Sequence, residues 1–159
     1  MPRTLVIGFG NLDRADDGVA FHVINALRRR LGQETLGEDD SGLEELGAEV
    51  DSVFLTQLVP ELMDTLAGYE QVIFVDAHVY EKQNRLQCAP VRLEYTPPAF
   101  THHLTPSALL ALVKALCHSE LTGHIVSIRG YNFDFHRDLS ADTQALVQPA
   151  VKCIVQLLA

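Results

Sequence analysis

Several residue types that mark particular classes of protein are scarce or absent in this chain of 159 residues. Tryptophan is absent, and the three cysteines, Cys88, Cys117 and Cys153, lie far apart without a Cys-x-x-Cys pair. Neither a zinc knuckle nor a redox dithiol is therefore indicated. Three unpaired thiols suit a reducing compartment, and no stretch has the pattern of a secretory signal. These absences predict a cytoplasmic protein.

Positive charge is also in short supply. The chain has 12 Lys and Arg against 21 Asp and Glu, which gives a net charge of −9 at pH 7. Nucleic acids and anionic membranes favour a basic protein surface, so neither is expected as a partner. No apolar run reaches the roughly 20 residues that span a bilayer. With 47% apolar residues, the chain is expected to form one packed domain over residues 1–159.

The glycine turn near the start of the chain lacks the features of a nucleotide-binding loop. Gly8 and Gly10 follow a short apolar run, but Asp13 stands where the third glycine of Gly-x-Gly-x-x-Gly belongs. A Gly-Lys-Ser/Thr sequence is also missing, and Asp16 and Asp17 add negative charge that repels phosphate. No nucleotide cofactor is expected, and a nucleotide-binding α/β domain is the weakest of the alternatives.

Short apolar runs alternate with helical patterns along the whole chain. Strands are predicted at residues 4–7, 50–58, 71–76, 86–95 and 123–128, and helices at residues 20–31, 60–67, 105–116 and 140–158. This alternation predicts a single three-layer α/β domain, with a mainly parallel, twisted five-stranded sheet flanked by helices on both faces. Pro90 assigns the fourth strand to an edge. Pro149 should kink the last helix or mark its true start.

Polar side chains cluster at the predicted carboxyl ends of the strands, where ligands of parallel sheets gather. Asp16 and Asp17 follow the first strand, Asp76 ends the third, and His102 and His103 precede a helix. Two carboxylates and one imidazole form a ligand set for a divalent ion with positions left open. Such an ion can bind a substrate atom or activate a water molecule.

Each of these residues also has a purely structural interpretation. Asp76 would equally well cap a helix or order a loop, Asp16 would cap the first helix, and a histidine pair before a helix is commonly a surface feature. His78 lies two residues beyond Asp76 and would share its face if the strand continued that far. Spacing alone therefore gives a metal site as a hypothesis of low specificity.

Three motifs together resemble the endopeptidases that mature nickel–iron hydrogenases. They are V-I-G-F-G-N-L-D-R-A-D-D-G-V at residues 6–19, V-I-F-V-D-A at residues 72–77 and T-H-H-L-T-P-S-A-L-L at residues 101–110. Their order and separations match the family over nearly the whole chain.

The resemblance implies a set of metal-binding positions. The acid before the glycine of the first motif is Asp17, with Asp16 beside it, and the strand-end acid is Asp76. The family's His-x-Leu pattern aligns with His102, and His103 is the alternative.

The resemblance also implies an activity. Members of the family remove a short carboxyl-terminal extension from the precursor of the hydrogenase large subunit after nickel insertion. The nickel belongs to the substrate, and Asp17, Asp76 and His102 would complete its coordination. Asp17 or Asp16 would be the nearest base, and the chain is expected to act as a monomer on the precursor. The alternative is a module that checks nickel in the same precursor without cutting it.

The turn residues Gly8, Gly10 and Asn11 are expected to act as scaffolding, with Asn11 holding backbone groups. At residue 15 the chain departs from the family pattern, because Ala15 stands in place of a glycine. Glycine there would allow a positive φ that alanine resists. The turn is thus expected to aim Asp17 toward Asp76 and His102.

Overall fold

Alternating strands and helices build one mixed sheet with helices on both faces. The computed structural model of the chain describes residues 2–93 and 104–159. The strands are β1 (Thr4–Phe9), β2 (Val50–Leu55), β3 (Gln71–His78), β4 (Leu86–Pro90) and β5 (Thr122–Arg129). The helices are α1 (Val19–Arg30), α2 (Leu62–Leu66), α3 (Pro106–Cys117), α4 (Ala141–Gln144) and α5 (Val147–Leu158), with 3-10 turns at Ala15–Gly18 and Leu43–Glu45.

The strand order in the sheet is β2-β1-β3-β5-β4. Four strands run parallel, and β4 pairs antiparallel with β5 at one edge. The predicted α/β fold with a mainly parallel five-stranded sheet is therefore confirmed, and so is the edge position of the strand that contains Pro90. That strand is shorter than predicted and ends at Pro90, while residues 94 and 95 of the predicted span lie outside the described residues.

Apolar side chains point alternately to the two faces of the sheet and form two buried clusters. One cluster joins Val6, Ile73, Val75 and Val126 of the strands to Ile24 of α1 and Ile154 of α5. The other joins Leu5, Ile7 and Phe74 to Leu66 of α2 and to Leu109 and Leu110 of α3. Since both faces are covered, the carboxyl edge of the sheet is the natural place for polar side chains.

Caps and prolines set the starts of the later helices. The Thr105 hydroxyl accepts a hydrogen bond from the Ala108 amide at 3.1 Å, and Pro106 opens α3, as the sequence predicts. The predicted last helix is instead two helices. Ser140 caps α4, and α5 then begins two residues before Pro149, where a missing N–H leaves no hydrogen bond unmade. Pro149 therefore marks a helix start and does not kink a longer helix.

No helix among residues 2–93 and 104–159 combines the length and the apolar character needed to cross a membrane.

Candidate functional site

At the carboxyl edge of the sheet, the acidic turn that contains Asp13, Asp16 and Asp17 lies next to the end of β3. Gly8 at the end of β1 pairs with Val75, and the next residue of β3 is Asp76. The chain then passes through the glycine turn into the 3-10 turn that carries Asp17. Asp17 is close enough to Asp76 for its negative charge to raise the pKa of Asp76.

The third predicted ligand, His102, and its alternative His103 lie outside the described residues. Within the described ranges no group of three His, Cys, Asp or Glu side chains is placed to hold a metal ion. This part of the chain therefore contributes two carboxylates, Asp17 and Asp76.

Backbone contacts fix the position of Asp17. Its Oδ2 atom accepts a hydrogen bond from the Asn11 amide at 2.8 Å, while Oδ1 accepts none from the described part of the chain. Gly10, one residue earlier, has φ +150°, and a Cβ there would lie 2.1 Å from the Asp17 carbonyl oxygen. Only glycine permits this approach, so Gly10 brings the turn backbone against Asp17 and leaves one carboxylate oxygen available.

Gly8 and Asn11 hold the rest of the turn. A Cβ on Gly8 would lie 2.9 Å from Cγ1 of Ile24 and 3.1 Å from Cβ of Ala20, so glycine lets α1 pack closely on β1. The Asn11 side-chain oxygen accepts the Asp13 amide at 2.9 Å. Both residues therefore make contacts that shape the turn.

Asp76 is a partly buried carboxyl group with an unusual protonation equilibrium. Burial raises the pKa of Asp76 to about 7, and the charge of Asp17 adds to the effect. The hydrogen bond that Asp76 Oδ1 accepts from the Ala77 amide, at 2.8 Å, lowers the pKa but is outweighed. A positive ion near Asp17 and Asp76 would relieve the repulsion between them and favour the ionised form.

Asp16 has a different environment from its neighbour. Its side chain is fully buried, and its carboxylate accepts the backbone amides of Tyr131 (2.8 Å), Asn132 (2.9 Å) and Ser140 (2.8 Å) and the Ser140 hydroxyl (2.7 Å). Burial opposes ionisation, but these hydrogen bonds outweigh it and hold the pKa of Asp16 below its usual value.

These contacts argue against Asp16 as a base. A carboxylate that accepts four hydrogen bonds and has no exposed surface cannot reach a substrate water, and its lowered pKa makes it a poor proton acceptor. Asp16 instead joins the two ends of the segment 131–140 to the acidic turn. Sequence reasoning missed this role because its partners are 115 to 124 residues away.

Ala15 adopts the conformation that its position in the family pattern implies. Its φ is +47°, and its backbone amide donates to the His136 carbonyl at 2.7 Å. Ala15 is fully buried. Its left-handed backbone conformation costs an L-residue about 1–2 kcal/mol. The turn therefore tolerates local strain at the residue just before Asp16.

His78 lies on the same face of β3 as Asp76, but its ring contacts Ser127. Its Nδ1 atom is 2.7 Å from the Ser127 hydroxyl, and Ser127 is the β5 residue in register with Asp76. Burial and the charge of Arg129 lower the pKa of His78. The lowered pKa favours the neutral ring, which lies two residues beyond Asp76 and contacts Ser127.

Fold and site together define an α/β domain that presents two carboxylates, Asp17 and Asp76, at the carboxyl edge of its sheet. No family model matches the chain. The chain is similar to the Hydrogenase 2 maturation protease of Escherichia coli strain K12, with 24% identity over 166 aligned positions that cover 98% of this chain and 90% of the relative.

Solved structures agree with this similarity. The hydrogenase maturating endopeptidase HybD from Escherichia coli superposes with a TM-score of 0.67 and 22% identity, over 98% of this chain and 91% of that one. The NiFe hydrogenase maturation protease HycI from Thermococcus kodakarensis gives 0.66 and 17%, over 98% and 92%. The resemblance indicated by the sequence motifs is therefore confirmed, and the shared names support the expectation of a peptidase.

Replacing Asp16 by Asn should destabilise the protein by about 2–4 kcal/mol at pH 7, because four partly buried donors lose a charged acceptor. The folded-state pKa of Asp16 is lowered, so its stabilisation is complete above about pH 4 and is lost as the pH falls through the folded-state value. Urea unfolding should show that the difference in free energy of unfolding between wild type and Asp16→Asn is smaller at pH 3 than at pH 7.

The matched control is Asp13→Asn in the same turn, which removes an exposed ion pair with Arg137 and should cost less than about 1 kcal/mol. Equal effects of the two substitutions would contradict the role assigned to Asp16.

Gly10→Ala should destabilise the protein more than Gly47→Ala does. Both glycines have nearly the same φ, +150° and +148°, but a Cβ meets a backbone oxygen at Gly10 and nothing within 4 Å at Gly47. We expect about 1–3 kcal/mol for the backbone conformation alone at Gly47 and a clearly larger loss at Gly10. Urea unfolding of both variants measures the difference, and equal losses would show that the turn relaxes without cost.

Proposed function

We propose that this chain is an endopeptidase that removes a short carboxyl-terminal extension from the precursor of a nickel–iron hydrogenase large subunit after nickel insertion. The substrate carries the nickel, and Asp17, Asp76 and His102 recognise it by completing its coordination. The observation that supports this proposal most directly is the pair Asp17 and Asp76, held together at one edge of a domain similar to named hydrogenase maturation proteases.

The electrostatics of the pair favour an ion that arrives with its substrate. With a pKa of about 7, Asp76 is protonated in a large fraction of molecules near neutral pH, and a protonated carboxyl is a poor ligand. A free divalent ion would have to displace the proton from Asp76. Few protein ligands would then hold the ion. An ion already held by the precursor needs only the remaining positions, which these carboxylates would supply.

The proposed chemistry divides the work between the two acids. The substrate's ion polarises the scissile carbonyl or lowers the pKa of a water molecule. A carboxylate cannot hold the ion and accept a proton at the same moment. Asp76 therefore stays a ligand of the ion, and Asp17, whose Oδ1 atom accepts no hydrogen bond from the described residues, leaves the ion to accept the proton.

The cellular setting forms part of the proposal. The three cysteines are free in the structure, which suits the cytoplasm, where thiols stay reduced. We place the protein there as a monomer that docks transiently on its precursor.

In a cleavage assay with nickel-loaded precursor followed by intact-mass spectrometry, Asp17→Asn and Asp76→Asn should each lower the rate by at least about 100-fold. Asp13→Asn, an exposed acid of the same turn, should stay within about twofold of wild type. Full activity of Asp76→Asn would remove Asp76 from the site. Binding of loaded precursor without any cleavage by wild type would favour the nickel-checking module.

A fold control accompanies the assay. The folded-state pKa of Asp76 is raised, so ionising it opposes folding above about pH 4, and fully so above about pH 7. Asp76→Asn removes this penalty and should melt no lower than wild type at pH 8. Loss of cleavage in that variant then reports on the site and not on unfolding.

A further inference from the structure

A short segment beside the candidate site exposes aromatic rings to solvent. This rim segment, residues 129–136, follows directly from the end of β5. Phe135 is 86% exposed and Tyr131 is 41% exposed, although the segment is tied to the domain by backbone hydrogen bonds. Exposed aromatic rings on a held backbone are typical of protein interfaces, since large side chains with few rotatable bonds gain contact area at small entropic cost.

An arginine side chain lies over each of the two exposed rings. The guanidinium of Arg14 lies 5.6 Å from the centre of the Phe135 ring, and that of Arg129 lies 5.1 Å from the centre of the Tyr131 ring. Arg14 also donates from Nε to the Phe133 carbonyl at 3.2 Å. These contacts hold both cations in place before any partner arrives.

Neither arginine forms an ion pair with the described residues, in contrast to Arg137, which pairs with Asp13 and Glu38. In a chain with a net charge of −9, Arg14 and Arg129 are two cations that no carboxylate of the described residues neutralises in an ion pair, although Asp134 belongs to the same segment. They suit a partner surface that carries carboxylates.

The rim segment is continuous with the site. Asp16 accepts the amides of Tyr131 and Asn132, and the next residue of the chain is Asp17. On the other side, the Gly130 amide donates to the His78 carbonyl at 2.8 Å, two residues after Asp76. The rim segment therefore adjoins the edge of the sheet that carries Asp17 and Asp76.

We propose that Phe135 and Tyr131, with Arg14 and Arg129, form the docking surface for the folded body of the precursor. The rings cover apolar side chains of the precursor, and the two guanidinium groups pair with its carboxylates. This proposal rests on the proposed function, because the occupant is the same precursor, but it concerns binding and not cleavage.

The test measures both the affinity of the nickel-loaded precursor, by biolayer interferometry, and the steady-state kinetics of cleavage. Phe135→Ser should raise Kd and KM by about 10-fold or more while kcat changes little. Arg14→Gln and Arg129→Gln should raise KM and weaken its dependence on salt.

Matched controls lie at the opposite edge of the sheet, where α1 and α3 end. Leu116→Ser removes an apolar side chain that is 62% exposed, and Arg30→Gln removes an exposed arginine. Both should leave Kd and KM within about twofold of wild type.

Unchanged Kd and KM in Phe135→Ser and in both arginine variants would overturn the docking surface, even if wild type cleaves the precursor as proposed. Conversely, wild-type binding without cleavage, together with weaker binding of Phe135→Ser, would support docking while the proposed function fails. If sedimentation instead shows that Phe135→Ser separates a dimer of this chain at unchanged precursor affinity, the surface serves a second copy and the proposal is wrong.

Discussion

The buried carboxylate of Asp16 is the contact on which the site and its surroundings depend. It gathers donors from both ends of the segment 131–140 and fixes them to the acidic turn. Without that carboxylate, three backbone amides and a hydroxyl in partly buried hydrogen bonds would lose a charged acceptor, at a cost above that of an exposed contact. The same contact sets the position of Asp17, which is the next residue, and of the rim segment at residues 129–136. Neighbouring aspartates thus have opposite roles, because one is saturated with hydrogen bonds and the other keeps an oxygen available.

The arrangement of charge follows from this anchor. Asp17 lies near Asp76 at the end of the sheet, and burial together with the charge of Asp17 raises the pKa of Asp76 to about 7. Two ionised carboxylates at this distance repel each other, and a nearby cation removes this cost. The pair is therefore expected to bind a cation more readily than an uncharged ligand. The arginines of the rim lie outside the pair and face solvent over aromatic rings. A partner that brings both a cation and carboxylates would meet complementary charge at both places.

Local patterns predicted much of this structure. Gly8 and Gly10, the strand that ends near Asp76, and the start of α3 at Thr105 and Pro106 all follow from spacing, glycine chemistry and capping, which act over a few residues. The positive φ of Ala15 was likewise foreseeable from the glycine expected there. The role of Asp16 was not, because the donors that saturate it come from a segment more than a hundred residues away, and acidity alone does not distinguish a saturated carboxylate from a free one. The place of His102 as the third ligand stays a prediction.

Nickel recognition is tested by comparing nickel-loaded and nickel-free large-subunit precursor as substrates for the wild-type chain, with intact-mass spectrometry of the products. Loss of a carboxyl-terminal peptide from the loaded precursor alone is the result expected if Asp17 and Asp76 recognise the nickel that the substrate is proposed to carry. Equal cleavage of both forms would leave a peptidase but contradict recognition of nickel by the two carboxylates.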